Sequence, residues 1–137
     1  MYKKIMVPVD LNHLDQLEKS LTIAADLALH FKCGLCYVGV TIDQPSEVAK
    51  NPEEFERKLG AFADKQATIH GISASSHSFI AHDIVLDIDD VLIRAIEETG
   101  VDLVVMASHE PRFSDHFWPS NSSKIATHSK VSLFIVR

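Results

Sequence analysis

Asp102-Leu103-Val104-Val105-Met106-Ala107 sets five apolar residues in a row behind one acid. Just upstream, Asp87 to Thr99 puts Val91, Leu92, Ala95 and Ile96 on one face of a helix closed by Gly100. A strand that is apolar throughout, rather than at every second residue, is buried on both faces, and the helix feeding it supplies one cover. The pairing recurs outward. Ile5-Met6-Val7-Pro8-Val9 is a short apolar strand ended by Asp10. Leu14 to Phe31 then repeats Leu17, Leu21, Ala24, Ala25, Ala28 and Phe31 at helical steps, with Gly34 as the stop. Leu35 to Ile42 is a second buried strand, broken by the turn residues Asp43 to Glu47. Asn51-Pro52 reads as a helix start, followed by Phe55, Leu59, Phe62, Ala63 and Gln66 up to Gly71. Ser73 to Ala81 is irregular, and Ser78-Phe79-Ile80-Ala81 reads as the third strand. Beyond Ala107 come a polar loop from Ser108 to Asn121, a short helix from Ser122 to Ser129, and a fifth strand, Val131 to Val136.

Strands and helices therefore alternate, which predicts an α/β fold: a parallel sheet with helices on both faces and the ligand site at its carboxyl edge. The residues to watch are Asp10, Val40 to Asp43, Ala81 to Val85, and Ala107 onward. The length of 137 residues suits a single domain, 1–137, and the 46% hydrophobic content suits a soluble globular chain. A net charge of −6 argues against nucleic acid and anionic membranes as partners. The apolar run before Asp10 is too short for a signal peptide and no stretch reaches the length of a membrane span, so a cytoplasmic location is expected.

Cys33-Gly34-Leu35-Cys36 has redox or zinc spacing, but it enters a strand rather than opening a helix, so two core cysteines are expected. The eight histidines, His109, His116 and His128 among them, show no metal-ligand spacing. Asp83, Asp87, Asp89 and Asp90 read as a solvated helix start rather than a calcium loop. Asp10, His109 and Ser120 form no nucleophile motif, and a capping serine is the plainer reading. Phe113, Phe117 and Trp118 are expected to anchor their loop.

Lys4-Ile5-Met6-Val7-Pro8-Val9-Asp10, Val104-Val105-Met106-Ala107-Ser108-His109, Ser120-Asn121 and Val131 to Arg137 together resemble the universal stress protein family, in order and across the whole chain. The resemblance implies a three-layer, Rossmann-like five-stranded sheet of order 3-2-1-4-5 and a homodimer paired through the C-terminal strand. It also implies a nucleotide site: Asp10 touching the nucleoside by its side chain, Val40 by its backbone, and Ala107, Ser108, Ser120, Asn121 and Ser122 around the phosphates.

ATP-binding members of that family carry a loop G-x2-G-x8 or x9-G-[S/T], in which glycines let backbone N–H groups close on phosphate. Here the first two glycine positions hold Ala107 and Glu110, and the eight-residue spacing puts the third on Pro119, followed by Ser120. The nine-residue spacing instead sets Ser120 and Asn121 on the last two positions. A carboxylate at about 7 Å costs roughly 0.6 to 2.4 kcal/mol per phosphate charge. A proline removes a donor worth about 1.5 to 3 kcal/mol if it faced phosphate. The expectation is a non-catalytic stress-response or regulatory protein, with no required cofactor and weak or absent ATP binding. The competing class is an ATP-binding switch with slow hydrolysis. A redox or metal protein through Cys33 and Cys36 is a third class.

Overall fold

The structure is a computed structural model that describes residues 1–108 and 121–137. At its centre β1 (Lys4–Pro8) is paired in parallel with β2 (Gly34–Ile42) on one side and β4 (Leu103–Ala107) on the other. β3 (Ala74–Ala81) continues the sheet beyond β2 and β5 (Ser132–Val136) beyond β4, also in parallel, giving the order β3-β2-β1-β4-β5. The chain winds outward from β1 in one direction and then restarts on its other side, so the switch of direction falls between β1 and β4.

Both faces of the central strands are buried, which is why their sequences are apolar without alternation. Ile5, Val7, Leu35, Tyr37, Leu103 and Val105 face α1 (Glu18–Phe31) and α2 (Pro52–His70). Met6, Cys36, Val38, Val104 and Met106 pack against Leu92 and Ala95 of α3 (Ile84–Thr99) and Ile125 of α4 (Asn121–His128). Cys33 and Cys36 are both free thiols that fall to opposite faces. Burial pushes the Cys36 thiol up, and burial chiefly does the same to Cys33.

α2 starts as the sequence reads, with the Asn51 side chain accepting from Glu54 N–H at 2.8 Å and Pro52 in the first turn, and it ends on left-handed Gly71. Four boundaries differ from expectation. Leu14–Leu17 forms a turn of 3-10 helix, and the α-helix begins only at Glu18. The residue that stops α1 is Lys32, held left-handed at φ 54°, while Gly34 already belongs to β2. β3 runs the full Ala74–Ala81, because eight consecutive residues pair with β2 and override the poor strand propensity of serine. α3 begins at Ile84, not Asp87, because Asp83 caps it by accepting from Leu86 N–H at 3.1 Å.

Candidate functional site

β1 ends at Pro8, and Val9 N–H makes one further bond to Val38 O at 2.8 Å. Along a parallel strand successive residues turn their N–H and C=O to alternate sides. Val38 therefore faces β1, and Val40, two residues on, turns its backbone groups to the same side, past the point where β1 has stopped. Its side chain is buried against Phe79 and Ala81 on the α3 face. Backbone polarity, not the valyl group, is what this position offers a ligand.

Asp10 stands beside that space and is 7% exposed. Its Oδ1 accepts from Asn12 N–H at 3.0 Å, and its Oδ2 is in close contact with His13 Nδ1. Its backbone carbonyl accepts from His13 N–H at 3.0 Å, closing a turn that delivers the chain into the 3-10 segment. The sequence reading found Asp10 and missed Asn12 and His13. The signal available was an aspartate with its donor two residues on, the pattern of an Asx turn.

On the other side of the switch, Ala107 ends β4 opposite Val136, with its side chain against the α1–α2 face. Ser108 donates its N–H to Val136 O at 2.7 Å. That amide serves the sheet. Asn121 and Ser122 open α4, whose first N–H groups have no intrahelical partner and favour an anion. Glu110, Pro119 and Ser120, with His109, Phe113, His116, Phe117 and Trp118, lie outside the described residues.

The acidic run at the start of α3 is spent on structure. Asp87 Oδ2 accepts from Asp83 N–H at 3.0 Å, the return half of the Asp83 cap. Asp90 holds Lys124 of α4 at 2.9 Å and raises the pKa of its ammonium group. Among the described residues no cluster of three or more His, Cys, Asp or Glu is placed to hold a metal ion, and no helix is long and apolar enough to cross a membrane.

A buried acceptor follows β1, a backbone edge near the end of β2 is turned past the point where β1 stops, and α4 follows β4 in a sheet of order 3-2-1-4-5. Known proteins share this frame. The family model for the universal stress protein family matches residues 1–137. Universal stress protein G of Shigella flexneri is 26% identical over 147 residues, with the whole of both chains aligned. A universal stress protein family structure from Burkholderia pseudomallei superposes with a TM-score of 0.70 at 20% identity, covering 98% of this chain and 96% of that one. The universal stress protein of Archaeoglobus fulgidus in complex with dAMP gives 0.67 at 17% identity, covering 99% and 98%. With the family match spanning the whole chain and the sheet order in agreement, this chain belongs to the universal stress protein family.

Proposed function

We propose that this chain is a non-catalytic stress-response or regulatory protein of the cytoplasm, a homodimer through β5, that holds an adenine nucleotide weakly or not at all. The carrying observation is the pairing of buried Asp10 with the outward-turned backbone of Val40 at the end of β1. That combines one fixed acceptor with one donor–acceptor edge, the kinds of group a nucleoside can bond. The Archaeoglobus relative, which holds dAMP in the same fold, supports carrying a nucleotide over to this edge of the sheet.

The weakness lies on the phosphate side. The sequence puts Glu110 at the second glycine position and, at the eight-residue spacing, Pro119 at the third, and Ser108 N–H is already committed to Val136. The non-catalytic reading follows from the same residues, because a cleft that holds a triphosphate poorly cannot fix its γ-phosphoryl group for attack. The test is calorimetric titration of nucleotide-free protein with ATP and Mg²⁺. Little or no heat below millimolar ATP is expected. Micromolar binding would replace this reading with that of an ATP-binding switch.

A further inference from the structure

Resting on the reading of Asp10 and Val40 as the nucleoside half of the site, we infer that His13 is an internal occupant of that site. Its imidazole holds the acceptor on Asp10 that a nucleoside donor would take, an autoinhibitory contact that keeps affinity low. A carboxylate only accepts hydrogen bonds, so the contact between Asp10 Oδ2 and His13 Nδ1 has the imidazole N–H as donor. Asn12 N–H already serves Oδ1, so each carboxylate oxygen carries a donor from this chain. The Asp10 side chain is 6% exposed, whereas that of His13 is 42% exposed. The ring thus forms the outer layer and the carboxylate the inner one.

The ring is held there by the backbone. His13 N–H donates to Asp10 O at 3.0 Å and His13 O accepts from Gln16 N–H at 3.1 Å, which fixes the residue from both sides. His13 occupies the cap position of the Leu14–Leu17 turn, yet its side chain makes no capping bond and turns back onto Asp10 instead. A ligand hydroxyl or amine that reaches Oδ2 must share it with the imidazole or displace it. Binding then exchanges one hydrogen bond for another, where an open carboxylate would gain one.

The full chain is titrated with AMP while the Val40 backbone amide is followed by NMR, a method that reads millimolar affinities. Replacing His13 with a residue that cannot donate, His13→Ala or His13→Val, is expected to tighten AMP binding about fivefold or more, the size of one net hydrogen bond. His13→Asn restores a side-chain N–H and is expected to stay within about twofold of the wild type. Adding Asp10→Asn to His13→Ala is expected to abolish the gain. Two variants without a donor keep the test open if one fails to fold. Unchanged or weaker binding by a folded one, with Val40 still shifting, would overturn the inference alone, since His13 would then support Asp10 rather than compete for it. An unshifted Val40 amide at saturating AMP in wild type and variants alike would overturn the site reading and this inference together.

Discussion

The two edges of the sheet differ in how they are closed. β3 is eight residues long, carries Ser75, Ser76, His77 and Ser78 through its middle, and is flanked by the 19-residue α2 and the 16-residue α3. β5 is five residues long and lies beside the eight-residue α4. Residues on a strand point alternately to opposite faces. Val136 packs on the α1–α2 face and Leu133 on the α3–α4 face, so Phe134 and Ile135 also fall one to each face, and they are 41% and 36% exposed. β3 blunts its edge with polar side chains and helix cover. Among the described residues β5 has no strand on its outer side, and it shows apolar side chains on both faces, the pattern of an edge that expects another chain. The proposed dimer contact is therefore expected at β5 and not at β3.

Breaking the apolar edge should have the largest effect. Phe134→Asp places a charge in the centre of the proposed contact, and an uncompensated buried charge costs about 3 to 5 kcal/mol. Sedimentation at micromolar concentration should change from dimer to monomer. The matching change on the other edge, Ile80→Asp, alters a residue that is 51% exposed and should leave the dimer intact. Dissociation by the β3 variant alone would reverse the assignment of the edges.

The cover over the β2–β3 side depends on one close approach. A Cβ built on Gly39 would lie 2.8 Å from Phe55 Cζ and 3.1 Å from Leu59 Cδ2, so α2 sits directly on the strand at that point. Gly39→Ala should cost about 2 kcal/mol through overpacking, measured by urea unfolding. A neutral result would mean that α2 can lift away, leaving the two edges less different than they look.

The contrast between edges was partly legible in the sequence. Continuous apolar runs gave the central strands, because burial on both faces leaves no alternation to misread. The β3 edge was read as four residues where eight pair, because Ser75 to Ser78 are held in the sheet by β2 and not by their own propensity. Lys32 was missed as the stop of α1, since a lysine rarely takes positive φ while Gly34 nearby offers a plainer signal. Asp10 and Val40 are candidates through the family resemblance, but the surroundings of Asp10 are not legible in the sequence. The partnership with His13 depends on a turn geometry that spacing alone does not specify.

Tyr37 sharpens the comparison from inside, because it belongs to the well-covered half and packs edge-on against Phe62 of α2 at 5.1 Å. Its hydroxyl is buried without a hydrogen-bond partner among the described residues, and burial pushes its pKa up to about 12. The unfolded chain ionises this phenol first. The stability it supports is therefore complete below pH 10, and is lost as pH rises from there towards about 12. Tyr37→Phe should add about 1 kcal/mol near neutral pH by removing the orphaned hydroxyl, and should flatten the alkaline loss. Unfolding curves at pH 7 and in the alkaline range check both. A destabilised variant would mean that the hydroxyl finds a partner such as bound water.

The smallest effect concerns the α3 face of β3. The Arg94 guanidinium lies 5.3 Å from the centroid of the Phe79 ring, and its Nε is 3.7 Å from Glu98 Oε1 one turn along α3. The ion pair is half exposed on both sides and contributes little. The stacking does more, since it places a cation on the aromatic ring next to a strand edge, where an open apolar surface would invite association. Arg94→Ala should cost about 0.5 to 1 kcal/mol, and Arg94→Lys should recover only part of it, because an ammonium cannot lie flat on the ring. If the alanine variant also self-associates, as light scattering would reveal, then Arg94 protects the β3 edge. Lost stability without association would leave the serines and the two long helices as the features that close it.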